Sequence, residues 1–322
     1  MLFRAPRCYH SSISKWIFLG VILMRINGCI CSFLIAFLCS NIAWADDLKT
    51  LEVWKNLFTL NSGKSTDSNT TFLVTDEGVI VIDTRVTPNE ARKVKEAIRK
   101  QTQLPVLYVI NTHYHGDHVF GNQVFKDTHT IIAHENVQKA LKDESVKEHL
   151  NFFKNLNIPS IEETVVTPPN VIFKEKMDIW AGGYHLELIH MPGHTDGDLF
   201  IYIKALKTII AGDLISNKKI PDMRDASSIK DWMKALNYMG DLNAEIYIPG
   251  HGESGGKPVL LAMKHYLMYL IERVRVQIEI GKSLKETQDA VRPILEKKFK
   301  NWEKPEWIDS NIEFAYKELS LK

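Results

Sequence analysis

Cysteine is absent after residue 45: all four (Cys8, Cys29, Cys31, Cys39) precede that point. Residues 46–322 therefore hold no disulfide, no thiolate metal site and no cysteine nucleophile. A serine nucleophile elbow is not expected either. An excess of either charge is missing, with 40 Lys and Arg against 39 Asp and Glu. Four of the 40 (Arg4, Arg7, Lys15, Arg25) lie before residue 46, where no acid occurs, so the remainder has 36 basic and 39 acidic residues, a net of −3. No basic field invites nucleic acid. Beyond Ala45 no apolar run approaches the ~20 residues of a bilayer span. No internal repeat or low-complexity tract interrupts the chain, whose 45% hydrophobic and 25% charged content is that of a globular domain.

The first 45 residues stand apart. Residues 30–38 form a short, mostly apolar run, preceded by Arg25 and followed by Ala43-Trp44-Ala45. A basic lead, an apolar stretch and an A-x-A-like end make a secretory signal, expected to be cleaved between Ala45 and Asp46. Met24 offers an alternative start, and retention of the segment as a membrane anchor is the rival reading. Residues 46–322 then make one exported, periplasmic or secreted domain, with a charged helical tail from about residue 284.

Within that domain strand-like and helix-like segments alternate. Strands are expected at 51–60, 71–75, 79–83, 106–110, 130–133, 171–173, 185–190, 199–203, 208–211 and 245–248. A helix is expected from Pro88, which suits a first turn, with Ala91, Val94, Ala97 and Ile98 making one stripe, and further helices at 135–157, 229–239, 257–280 and 284–322. Strands in runs with helices interspersed suit packed sheets covered by helices.

The chemistry gathers at strand ends. His113, His115, Asp117 and His118 fall within six residues of one another, directly after an apolar run. His113 and His115 are two apart, so in extended chain their rings converge on one side. Three further apolar runs lead through a glycine to a candidate ligand: Gly193-His194, Gly212-Asp213 and Gly250-His251. Imidazole and carboxylate are the ligands expected of zinc or another borderline divalent ion.

This ordered pattern resembles the metallo-β-lactamase-fold metallohydrolase superfamily, on its glyoxalase II-like, exported zinc hydrolase side. The resemblance implies an α/β fold, a four-layer αββα sandwich, with a binuclear site at one edge of the paired sheets. It assigns His113, His115 and His194 to one metal and Asp117, His118 and His251 to a second, with Asp213 bridging. Seven such ligands suit two divalent ions about 3.5–4 Å apart with a shared water. Coordination brings the pKa of such a water to ~7, so a metal-bound hydroxide is the expected nucleophile, with Asp117 a ligand able to pass a proton. Two Zn2+ are expected, with Fe or Mn as alternatives.

The β-lactamases of this fold place Cys or Ser where this chain has Asp213, and a carboxylate there is similar to the thioesterase and lactonase members. The expected substrate is accordingly a small ester, thioester or lactone. The alternatives are a metallo-β-lactamase acting on β-lactams, a mononuclear iron enzyme like the persulfide dioxygenases, and a non-catalytic zinc-binding protein. Asp83 is a candidate outer support of a ligand histidine, with a strand-end turn former as the rival reading; Thr195, grouped with it in that outer layer, and Asp196 are expected to fix the His194 loop by side-chain-to-backbone hydrogen bonds. His129, His134, His149, His185 and His265 lack neighbouring ligands in sequence and are read as structural, as are His190 and Tyr114. The loops at 61–70, 154–170 and 217–228 are expected to shape the pocket.

Overall fold

Several strands show none of the apolar/polar alternation of a one-sided sheet. Val79–Ile82 and Leu199–Ile203 are buried at every position, which requires cover on both faces. A computed structural model describes residues 22–26, 29–33, 48–61, 67–128 and 130–321 and shows how that cover arises. The chain divides into two compact units, Met1–Ala45 and Asp46–Lys322. In the first, β1 (Ile22–Ile26) and β2 (Cys29–Phe33) pair as an antiparallel hairpin. Most of the expected signal, including Ala43-Trp44-Ala45, lies outside the described residues, as do His129 and residues 62–66.

The second unit contains two facing sheets. A seven-stranded sheet runs in the order β3 (Lys49–Trp54), β4 (Leu57–Asn61), β5 (Thr70–Val74), β6 (Val79–Ile82), β7 (Val106–Ile110), β8 (Ile131–His134), β9 (Val171–Phe173). Its first four strands are antiparallel; β6 to β9 are parallel neighbours. A five-stranded sheet follows, β10 (Lys176–Ala181), β11 (Tyr184–His190), β12 (Leu199–Ile203), β13 (Thr208–Ser216), β14 (Ile246–His251). Only its last pair, β13–β14, is parallel, the crossover carrying α5 (Ile229–Asp241).

Three apolar layers hold this together. Leu57, Leu73, Ile80 and Ile110 of one sheet pack against Leu186, Leu188, Ile201 and Ile210 of the other. Outside the first sheet, Val79, Val81 and Val109 meet Ala91, Val94 and Ile98 of α1 (Pro88–Gln101). Outside the second, Phe200, Ile209 and Tyr247 meet α5, α6 (Lys257–Glu279), α7 (Leu284–Lys298) and α8 (Ile308–Ser320). The arrangement is the expected four-layer αββα sandwich. Local signals agree with it: Thr87 caps α1 by accepting from the Glu90 N–H at 3.2 Å, and Ser283 with Glu286 forms a capping box on α7. Among the described residues no helix is long and apolar enough to cross a membrane.

Four element boundaries differ from expectation. Residues 51–60 form two strands, because Asn56 takes a left-handed conformation (φ 68°) between them. The helix at 135–157 divides into α3 (Glu135–Lys142) and α4 (Ser145–Asn155), with the Asp143 carboxylate accepting from the Ser145 N–H. The tail is two helices, separated by a turn at Pro305–Trp307. Strand β13 continues past residue 211 to Ser216, with register shifts against β14 on either side of Gly212, whose φ is 52°. That irregularity aims Asp213 out of the ladder.

His134 and His190, read as structural, stack across the two sheets with ring centroids 3.6 Å apart. Burial and the His190 ring hold His134 down to about 4 from its usual 6.5. A depressed histidine stabilises the fold fully above pH 6.5, and that contribution is lost as pH falls toward 4. His134→Phe keeps a ring in the stack and removes the titration. Its acid-unfolding midpoint, followed by circular dichroism, is expected at lower pH than that of the parent; coincident curves would refute this.

Candidate metal centre

Strand β7 delivers the first group. Beyond Ile110 the chain runs through Asn111 and Thr112 to His113, and His115 takes the position just before the short helix α2 (Gly116–Val119), which carries Asp117 and His118. His194 sits in the turn after β11, Asp213 within β13 and His251 at the end of β14. All seven candidate ligands meet at one end of the facing sheets. The ligand atoms of His113, His115 and His194 lie within 4.8 Å of one another, as do those of Asp117, His118 and His251, and of His113, His118 and Asp213. Asp213 stands between the groups. Its Oδ1 is 3.3 Å from His118 Nε2, and its Oδ2 is 3.2 Å from His251 Nε2 and 3.6 Å from His194 Nε2.

The outward ring nitrogens are fixed by neighbours. His118 Nδ1 is 2.8 Å from Asp83 Oδ2, and the same carboxylate accepts from the Thr112 N–H at 2.8 Å and its hydroxyl at 2.7 Å. Asp83 thus ties the His118 ring to Thr112. Thr112 Oγ1 lies 3.1 Å from His113 Nδ1, the Asp222 carbonyl 2.9 Å from His194 Nδ1, and Asp225 Oδ2 3.1 Å from His115 Nε2. His115 therefore turns Nδ1 inward, 2.8 Å from His194 Nε2. Thr195 braces the loop rather than a ligand ring: its N–H and hydroxyl donate to Asp198 at 2.8 and 2.7 Å, and its hydroxyl accepts from the Gly197 N–H at 3.3 Å.

Electrostatics prepare the same groups for a cation. Burial, with the neighbouring imidazoles, keeps His113 well below its usual pKa, and burial with His115 brings His194 down to about 4. Burial opposes ionisation of Asp117 and Asp213, yet His118 and His251 outweigh it and hold both carboxyls well below the usual range. His118 is the counterpart: burial opposes its charge, but Asp117, Asp213 and Asp83 raise it well above 6.5.

The residues fit metal ions on an independent ground. His113 Nε2, His118 Nε2 and Asp213 Oδ1 are buried without a hydrogen-bond partner, a costly state unless something polar or charged fills the space they face. His251 Nδ1 is buried without a partner as well. Five imidazoles, two carboxylates and no thiolate make a donor set suited to zinc and similar ions.

Space is as tightly set as charge. A Cβ on Gly250 would come 1.9 Å from Asp213 Oδ1 and 2.9 Å from its backbone nitrogen. Gly250→Ala must therefore displace the central carboxylate. Metal affinity, measured by competition with a chromophoric chelator, is expected to fall about 10- to 100-fold, like the loss of an outer support. An unaltered affinity would show that Asp213 does not govern retention.

Several contributors carry no local signal. His149 on α4, read as structural, lies with its ring 5.2 Å from His115 and its Nε2 4.0 Å from Asp225 Oδ2. Contact with His115 holds the Asp225 carboxyl down to about 2. Gly252-Glu253-Ser254-Gly255-Gly256 does have the G-x-S-x-G spacing, against the expectation of no serine elbow. Its Ser254 Oγ, however, is buried without any hydrogen-bond partner, so no base activates it. His185 pairs with Asp178 at 2.7 Å and stacks on Trp180, away from the site. Tyr114 packs beside α2 with Phe120 and Phe153. A cavity of about 280 Å³ opens onto Asp117, Asp213 and His251 and reaches α4 and the loop after β13.

Fold and site together define the class, a metal-dependent hydrolase. The chain belongs to the metallo-β-lactamase superfamily, which matches residues 64–251. It is 20% identical over 211 residues to a linear primary-alkylsulfatase of a Pseudomonas species, covering 55% of this chain and 40% of that one. It is 27% identical over 228 residues to the beta-lactamase-like protein 2 homolog of Caenorhabditis elegans, covering 69% and 67%. The stereoselective inverting sec-alkylsulfatase Pisa1 from Pseudomonas superposes with a TM-score of 0.66 at 17% identity, covering 84% of this chain and 50% of that one. The chain thus spans about half or less of the length of these alkylsulfatases.

Proposed function

We propose that this protein is an exported binuclear zinc hydrolase acting on a small ester, thioester or lactone. The observation that carries the reading is the place of Asp213, an ionised carboxylate between two imidazole clusters and within 3.6 Å of a ring nitrogen in each. Zinc, when held there, supplies a water acidified to pKa ~7 and a Lewis acid for the developing oxyanion. The chain supplies the rest. Asp83, Thr112, Asp222 and Asp225 fix four of the five imidazoles, so that their free nitrogens converge. Asp117 Oδ2, 3.3 Å from His251 Nε2 and on the cavity wall, is placed to take a proton from water and return it to the leaving group. Export rests on the basic-apolar-AxA order of residues 25–45.

The test combines metal analysis with a panel of esters, thioesters, lactones and β-lactams, with and without chelator. Two zinc equivalents and chelator-sensitive turnover of an ester-type substrate are expected. Metal retained with no turnover on any member would leave a zinc-binding protein instead, and turnover confined to β-lactams would transfer the assignment.

A further inference from the structure

Asn311 is a buried amide in an apolar stripe. It stands on α8 beside Ile308, Ile312 and Ala315, all of them fully buried. Asparagine is a poorer helix former than alanine and is mostly found exposed. Here Nδ2 donates to the Pro221 carbonyl at 2.9 Å and to the Tyr266 hydroxyl at 2.7 Å, while Oδ1 is buried without a partner. An amide buried with one end unsatisfied costs stability, which directs attention to what its other end holds.

Pro221 precedes Asp222, whose carbonyl fixes His194 Nδ1 at 2.9 Å. Further along, Asp225 holds His115 Nε2 at 3.1 Å. The stretch ends at Ser228, the N-cap of α5, and there α8 makes a second contact. Glu318 accepts from the Ile229 N–H at 2.8 Å and from the Ser228 hydroxyl at 3.3 Å. Residues i and i+7 lie on one helix face, so Asn311 and Glu318 project together. That face grips both ends of the segment carrying the two supports. The segment is also tied to the sheets, by the Asn217 N–H to the His251 carbonyl at 2.9 Å and the Ser227 N–H to the Gly193 carbonyl at 3.0 Å. Between those ties it leans on the tail, where Glu303 N–H and carbonyl pair with Lys218 and Ile220 at 2.9 Å each. The whole tail lies outside residues 64–251, the stretch that the superfamily matches.

We propose that Asn311 and Glu318 are positioning residues of the His113–His115–His194 cluster. Through Pro221 and Ser228 they hold the segment from which Asp222 and Asp225 orient His194 and His115, and so set how tightly that cluster keeps its ion. The Asp117–His118–His251 cluster is independent of them. This rests on the metal centre in the hydrolase reading and adds residues that act on it from the far side of the second sheet.

The test measures zinc affinity of the full chain, equivalent by equivalent, by competition with a chromophoric chelator. Asn311→Ala removes both hydrogen bonds and places a better helix former on α8. One ion is expected to bind about tenfold more weakly, the lower end of the loss for an outer support, with the other unchanged. In a His115→Ala background, where only the second cluster keeps its ion, the same substitution should alter nothing. The cobalt(II) absorption of the first cluster should shift with Asn311→Ala, and Glu318→Gln should reproduce both changes to a smaller extent. Ile312→Val, in the same core but remote from the segment, should lower the melting temperature and leave both affinities as they are.

Parental affinities in Asn311→Ala, or equal weakening of both ions, would overturn the inference. Should Asn311→Ala fail to fold, Glu318→Gln and Tyr266→Phe decide it by the same measurement, the latter unpairing an Asn311 N–H without touching the segment. Two ions bound with the expected variant profile, but no turnover of any ester, would sink the hydrolase reading alone. A parent protein that binds no ion would remove both.

Discussion

Asp213→Asn is expected to leave a folded protein that binds metal more than a hundredfold more weakly and turns over no substrate at a measurable rate. Loss of an outer support costs about 10- to 100-fold in affinity, and Asp213 is no outer support: it faces ring nitrogens of His118, His194 and His251 at once. The carboxamide has nearly the same volume in a position 6% exposed, so packing survives while the negative charge between the clusters is lost. That charge is one of three carboxylates that raise His118 well above its usual pKa, and it faces the space between the two ligand clusters. Elemental analysis after dialysis, beside far-ultraviolet circular dichroism, separates loss of metal from loss of fold. Two equivalents retained at parental affinity would refute the central placement.

His115→Ala should act on one cluster only. His115 contributes Nδ1 to the group with His113 and His194 and is held by Asp225 at 3.1 Å. Without the imidazole that cluster keeps two ligands, while Asp117, His118, His251 and Asp213 remain intact. Metal content is expected to drop from about two equivalents to about one, and kcat/KM to fall at least a hundredfold, beyond the range of an outer-support mutation. Asp225→Asn, which leaves the ligand and loosens its orientation, should fall within that range, about 10- to 100-fold in affinity. If His115→Ala and Asp225→Asn prove equally mild, His115 is no ligand.

Much of the site was legible because its ligands come with local grammar. His113, His115, Asp117 and His118 share one turn of chain, and His194, Asp213 and His251 each follow an apolar run and a glycine. The structure gathers all seven. What was not legible depends on tertiary contact. Asp225 reaches His115 across 110 residues and Asp222 reaches His194 across 28, and neither sits in a pattern that singles out one acid from its neighbours. His149 looked isolated because its partners lie on other elements. Thr195, expected to fix the loop after His194, does so through Asp198, a partner that adjacency alone does not single out. Packed sheets covered by helices followed from strand and helix order and the four-layer sandwich from the resemblance, but the breaks followed from neither. A single Asn at positive φ splits β3 from β4, and strand β10 was passed over although Met177, Ile179 and Ala181 alternate with its exposed positions.

The stretch after β13 has a consequence for how such a protein can vary. Residues 217–228 contribute the Asp222 carbonyl to His194, the Asp225 carboxylate to His115, and Lys219 and Arg224 to the cavity wall. Cation retention and ligand choice are thus written into one connecting segment. An insertion or exchange that retunes selectivity there perturbs imidazole orientation at the same time, so descendants with new preferences would have to pass through weaker metal holders or acquire compensating changes together.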